Sequence, residues 1–145
     1  QRAIYNALAD IAWQGRLELL QARPVTIIDG AHNHNAAVAL SQFIKTHYNS
    51  ARKILIFGVM ADKDYEDMLR ELIPVMDVVI FTKPHTDRAL SPYRMAHLLE
   101  DCIITDDVRT ALVKAKTIAG DDDLILITGS FYTAGEAKKI FHEVF

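Results

Sequence analysis

Val25-Thr26-Ile27-Ile28 runs straight into Asp29-Gly30-Ala31-His32-Asn33, and a helical pattern follows through Ala37, Leu40, Phe43-Ile44 and His47-Tyr48. The β-branched run is too apolar for a strand with one wet face, so it reads as a strand covered on both sides. It stops at Asp29-Gly30, and the period then changes from that of a strand to that of a helix. A buried strand, a polar turn and an amphipathic helix make the opening half of a βαβ unit.

The same alternation recurs along the chain. Ile54–Phe57, Val78–Phe81, Cys102–Ile104 and Leu124–Ile127 read as further strands, and the last is followed by Gly129-Ser130. Between them, Tyr65, Met68-Leu69 and Leu72-Ile73 form one helical face, closed by Pro74. Ser91-Pro92 has the pattern of an N-cap with proline at the first helical position, opening a short helix through Met95 and Leu98-Leu99. Asp106 or Asp107 caps a helix with Val108, Ala111-Leu112, Ala115 and Ile118 inward. The final helix turns Ala137, Ile140-Phe141 and Val144 to the core, and Leu17–Leu20 reads as one more short strand. Before it, Ile4, Ala7, Leu8 and Ile11 recur at helical spacing.

Strands alternating with helices imply a mostly parallel sheet with helices on both faces. Right-handed crossovers then bring the strands' carboxyl ends to one edge, where such folds bind ligands. The polar clusters Asp29–Asn33, Gly58–Asp64, Thr82–Arg88 and Thr128–Tyr132 all follow strands, so they are expected to converge there.

Composition narrows the function classes. The chain has 145 residues, half of them apolar and 24% charged, with a formal net charge of −3. The signs are interspersed, and no basic stripe offers the footprint that DNA or RNA requires. No apolar run approaches the ~20 residues that span a bilayer, so no membrane segment is expected. Cys102 is the single cysteine, which excludes an internal disulfide; in its apolar run it reads as a small buried hydrophobe of a cytoplasmic protein.

Chemistry concentrates in a few residues. Asp29, at a strand's carboxyl end, has the geometry to accept hydrogen bonds from the vicinal hydroxyls of a ribose, and Gly30 lets a ligand approach the backbone. His32 and Asn33 open a helix, where free amides favour an anion. The competing reading makes Asp29 a helix cap and His32 a surface side chain. His32 and His34 form an HxH pair, but no clear third metal ligand accompanies them, and no metal site is assigned. Ser130 either caps the last helix or binds a carboxylate or phosphate together with its amide. Asp62-Lys63-Asp64 supplies a cap and first-turn charge, with Lys63 and Arg88 as secondary ligand candidates at the same edge. Arg16 has no evident structural reason for its place. The chain contains no GxxxxGK, GxGxxG or GxSxG motif, which disfavours a complete kinase, dehydrogenase or α/β-hydrolase.

Read in order, Trp13-Gln14-Gly15-Arg16-Leu17-Glu18, Asp29–Asn33, Phe57–Asp64, Thr82–Ala89 and Thr128–Tyr132 resemble five motifs of one family. They are W-P-G-R-x-E, D-G-A-H-N-P, F-G-x-x-x-D-K-D, T-x-P-x-x-x-R-A and G-S-x-Y of the C-terminal domain of the dihydrofolate synthase/folylpolyglutamate synthase family, within the Mur ligase superfamily. Gln14 and His34 stand where the family has proline. The resemblance implies a Rossmann-like three-layer sandwich with a six-stranded, mostly parallel sheet and one antiparallel edge strand, assigned to Leu17–Leu20. It implies that residues 15–145 are this domain and that residues 1–14 are a helix or linker from a preceding ATPase domain. It also implies an ATP-dependent joining of L-glutamate to dihydropteroate or folyl(poly)glutamate through an acyl phosphate. Arg16 and Asp29 would then contact ATP, and His32 and Ser130 the glutamate, with Asn33 and Tyr132 beside Lys63 and Arg88 as further candidates. The phosphate loop and Mg2+ ligands are expected in the ATPase domain, the partner in cis. A peptidoglycan Mur ligase and a non-catalytic Rossmann-like binding module are the alternatives.

Overall fold

The computed structural model describes residues 17–145. The expectations for a helix over Gln1–Asp10, for residues 1–14 as a linker and for Arg16 lie outside the described residues.

Six strands form one sheet: β1 (Glu18–Ala22), β2 (Val25–Ile28), β3 (Lys53–Phe57), β4 (Val78–Phe81), β5 (Ile103–Ile104) and β6 (Leu124–Thr128). Their spatial order is β1-β2-β6-β3-β4-β5, with β1 antiparallel to β2 and every other neighbouring pair parallel. The antiparallel edge strand is therefore present. It runs two residues past the expected Leu20, and its register shifts between Leu19 and Gln21.

Helices α1 (His34–His47) and α2 (Tyr65–Leu72) cover one face, and α3 (Val108–Ile118) and α4 (Phe131–Val144) the other. The strands divide their side chains by alternation. Leu55, Phe57, Leu124 and Leu126 join the α1–α2 core, whereas Ile54, Ile56, Ile125 and Ile127 join the α3–α4 core. All eight are fully buried, which is why the central strands read as unbroken apolar runs.

Three details differ from the sequence reading. Pro92–Leu98 is a 3-10 helix, and the side chain of Ser91 makes no capping bond. Ile73–Val75, including Pro74, is a 3-10 turn that closes α2, so Pro74 stands inside the terminating turn. In α4, Ala137 and Phe141 are buried but Ile140 and Val144 only partly so. Of the two candidate caps before α3, Asp107 is the one used: its Oδ1 accepts the Thr110 amide at 2.7 Å. Among the described residues no helix is long and apolar enough to cross a membrane.

Candidate functional site at the carboxyl edge of the sheet

β2, β6, β3 and β4 lie side by side and parallel, so the loops that leave them start in register. The first amide beyond three of these strands donates to a neighbour: Asp29 to Ile127 O at 3.0 Å, Gly58 to Thr128 O at 3.1 Å and Thr82 to Phe57 O at 2.9 Å. The loops after β3 and β4 are then zipped together, Ala61 N donating to Arg88 O at 2.8 Å and Leu90 N to Val59 O at 2.9 Å. The four polar clusters thus share one edge, as the topology requires.

Asp29 is 4% exposed. Its Oδ1 accepts the Leu17 amide at 3.0 Å and its Oδ2 the Ala31 amide at 2.8 Å. Leu17 has φ +53°, a left-handed conformation that costs a leucine about 1–2 kcal/mol and is held here by that buried bond. Asp29 therefore ties the start of β1 to the β2–α1 turn and does not cap α1. The cap is Asn33, whose Oδ1 accepts the Ala36 amide at 2.8 Å. His34, which replaces the family's proline, is the first residue of α1, and its Nε2 lies 3.2 Å from Glu71 Oε1.

His32 Nδ1 lies 3.0 Å from Gly30 O. A carbonyl only accepts, so Nδ1 carries the proton, and Nε2 is the nitrogen left to a ligand. The ring stands 5.2 Å from that of Phe131, inclined at 45°. A side chain on Gly30 would collide with the same Phe131 ring, so the two turns touch because residue 30 is glycine.

Gly129, in the β6–α4 turn, has φ +113°, and a Cβ there would strike the Gly58 carbonyl. Ser130, 2% exposed, caps α4 by accepting the Thr133 amide at 3.0 Å. Its Oγ also lies 2.9 Å from Thr133 Oγ1, which donates to Gly58 O at 2.8 Å. Next to this buried cluster, Phe131 and Tyr132 are exposed. His32, Ser130 and Tyr132 therefore gather where α1 and α4 begin, with the exposed Asn33 at the same place, its Oδ1 taken up by the cap.

Lys63 lies apart from this cluster. It is half-buried beside a cleft of about 260 Å³ shared with Asp64, Tyr65, Glu66 and Asp67, and Asp64 makes no side-chain cap to α2. Arg88 is exposed and contributes its backbone carbonyl to the loop zipper. Among the described residues no three His, Cys, Asp or Glu side chains stand close enough to share a metal ion. Neither the His32–His34 pair nor this edge, within those residues, fits a magnesium ligand set.

Three features escape a reading of the sequence. Thr133 looks like an ordinary helix residue until Gly58, 75 positions away, is placed beside it. Thr82 and Thr128, fully buried at the ends of β4 and β6, have hydroxyls without hydrogen-bond partners. Two ionisable groups that flank the edge strand β5 are shifted. The Thr110 amide and hydroxyl hold Asp107 below the ordinary carboxylate range, and burial pushes the half-buried Cys102 thiol up.

The "Mur ligase, glutamate ligase domain" family model matches residues 15–131. A protein of Halobacterium salinarum named "Probable bifunctional folylpolyglutamate synthase/dihydropteroate synthase" is 34% identical over 99% of this chain, which covers 18% of that protein. The Escherichia coli FolC structure with DHPP and ADP superposes with a TM-score of 0.83 at 26% identity, over 89% of this chain and 31% of that one. A bifunctional folylpolyglutamate synthase/dihydrofolate synthase with Mn, AMPPNP and L-glutamate bound gives 0.82 at 26% identity, over 88% and 31%. The chain thus spans about a third or less of the proteins it matches, and it belongs to the Mur ligase family as a glutamate ligase domain.

Proposed function

We propose that the chain is the ATP- and glutamate-contacting part of an ATP-dependent ligase that joins L-glutamate to dihydropteroate or folyl(poly)glutamate. It works in cis with an ATPase domain that residues 1–14 help to connect. In the reaction a carboxylate of the pterin substrate takes the γ-phosphoryl group of ATP and ADP leaves. The glutamate nitrogen then attacks the acyl carbon, and the carbon–oxygen bond to phosphate breaks.

The observation that carries this reading is the meeting of two strand-to-helix turns, with His32 against Phe131 and Ser130 immediately before Phe131 in the chain. Two helix starts aimed at one place favour an anionic ligand, and glutamate brings two carboxylates. His32 and Ser130 receive it, with Asn33 and Tyr132 beside them. Asp29 and Arg16 serve the ribose and phosphates of ATP. Lys63 and Arg88 are the outlying candidates. Magnesium, which screens the phosphates during transfer, is held by the ATPase domain and the nucleotide. The ligands in the relatives' structures, ADP, AMPPNP, Mn and L-glutamate, support this assignment of substrates. The cytoplasm is the proposed compartment.

Catalysis requires closure of the two domains on each other. The chain by itself is therefore expected to bind and not to ligate. Amide NMR shifts on adding ATP and glutamate should cluster at Asp29–Asn33 and Ser130–Tyr132, and the purified chain should release no ADP in response to glutamate. Shifts confined to other loops would overturn the residue roles, and glutamate-dependent ADP release by the chain alone would overturn the division of labour.

A further inference from the structure

Phe131 opens α4 on the ligand edge and is 60% exposed, with Tyr132 next to it in the chain 51% exposed. Phe43, Phe57, Phe81 and Phe141, by contrast, are all buried. The other large apolar side chains exposed among the described residues, Tyr93 and Val113, stand singly on other elements. Single exposed hydrophobes are ordinary, whereas two in succession at the mouth of a site mark a contact surface. The Phe131 ring is also held in place on one side. It occupies the space that a side chain on residue 30 would need, and the His32 ring stands 5.2 Å away, inclined at 45°. The β2–α1 turn thus braces the ring while most of its surface faces solvent. Covering it later costs little further side-chain order, which is the property of a preorganised anchor.

We propose that Phe131 is the anchor on which the ATPase domain of the same ligase seats when the enzyme closes, its ring entering an apolar recess of that domain with Tyr132 at the rim. The identity of that domain rests on the ligase reading above. This chain covers 31% of the Escherichia coli FolC chain, so most of such an enzyme lies outside this domain.

Size and surroundings select this occupant. A freely diffusing protein partner, or a second copy of the chain, needs roughly 800 Å² of complementary surface on each side. Two aromatic side chains of about 150–250 Å² each, only part of which is exposed, fall well short of that. The residues around them, His32, Asn33 and His34, are polar and do not extend the apolar area. A domain joined covalently to this one is instead present at an effective concentration on the order of millimolar, and a weak contact then suffices. Weakness is also what a site that reopens for every product requires. Seating on Phe131 covers both turns at once, because the ring touches the β2–α1 turn and belongs to the first residue after the β6–α4 turn. The contact that closes the domains therefore also excludes water from the ligand edge.

The test uses the full-length ligase with the photoreactive p-benzoylphenylalanine in place of Phe131. Irradiation with AMPPNP and glutamate present should link position 131 to a peptide of the ATPase domain, at several times the yield obtained without them. A link to a second copy, to the nucleotide or to this domain alone would overturn the proposal. Phe131→Ser provides a second measurement should the first variant not fold. It should lower kcat/KM about tenfold, the loss of one anchor, and abolish the fall in radius of gyration that AMPPNP and glutamate cause in the wild type. Phe131→Leu keeps an apolar anchor and should restore kcat/KM to within about threefold. A contraction unchanged in Phe131→Ser would overturn the proposal even where activity falls, because the ring would then act only on its neighbour His32. Each of these outcomes in an active wild-type background leaves the ligase reading standing. A wild-type protein without glutamate-dependent ADP release would overturn that reading, and the proposal with it.

Discussion

The β2–α1 and β6–α4 turns leave adjacent parallel strands on the same edge, and both deliver the chain to an extended N-cap residue, yet they solve the problem differently. The first has five residues, Asp29–Asn33, and divides the labour. Asp29 binds backbone, His32 faces Phe131 and Asn33 caps the helix. The second has only Gly129 and Ser130 between strand and helix. Gly129 must therefore adopt a positive φ, and Ser130 must be both cap and candidate ligand group. Length decides how many tasks one side chain carries. In the longer turn the ligand candidate His32 is only half-buried and makes a single bond to its own backbone, whereas in the shorter one Ser130 has its hydrogen committed before any ligand arrives.

If the short turn is the less forgiving, Gly129→Ala should be the most damaging change. It adds strain from the positive φ to a collision with the Gly58 backbone, for a loss of about 3 kcal/mol by urea denaturation. Gly135→Ala, in α4 with nothing near its Cβ position, should instead stabilise by about 0.5–1 kcal/mol. Equal effects at the two glycines would break the comparison.

The long turn should depend on charge where the short one does not. Asp29→Asn replaces one acceptor by an NH2 donor that faces a backbone N–H, so a loss of about 2 kcal/mol is expected. Ser130→Ala removes a neutral cap and should cost about 1 kcal/mol in the same denaturation assay. A reversed order would mean that the Leu17 and Ala31 bonds do little for the fold.

The smallest effect concerns pH and separates charged from neutral caps. Asp107 is held below its ordinary carboxylate range by Thr110. Its contribution is therefore present above the unfolded value of about 3.9 and is lost as pH falls through its lower folded value. Because this carboxylate is only part-buried and still meets solvent, the effect should be only a few tenths of a kcal/mol. Asp107→Asn should flatten the acid limb of stability slightly, while Asn33→Ala should lower stability equally at every pH. An unchanged acid limb in Asp107→Asn would show that the depressed carboxyl is not coupled to folding.

The sheet and its two helical layers were legible because Ile27-Ile28, Ile54–Phe57 and Leu124–Ile127 are buried on both faces and leave no polar alternation. The family resemblance supplied the antiparallel edge, which periodicity alone did not distinguish from another parallel strand. Local chemistry was legible where both partners are near in sequence, as with Asp107 and Thr110. It failed at Ser91, where the capping pattern is present but the helix that follows is of 3-10 type. It also failed wherever the partner is distant, as for Asp29 with Leu17, 12 residues away, and Thr133 with Gly58. In each of these pairs a side chain seeks a backbone atom, and residue type at the far position gives no sign of it.

Asp29 can be regarded as a rivet through two sheet edges. The carboxylate that sets the β2–α1 turn also grips the backbone where β1 begins, so the chain entering at Leu17 and the turn carrying His32 share a single fastening. Tension applied to the strand's start is delivered to that turn within one side chain's length, before the ladder between β1 and β2 bears any load. Unzipping the domain from its edge strand and disordering its ligand edge are consequently the same mechanical event.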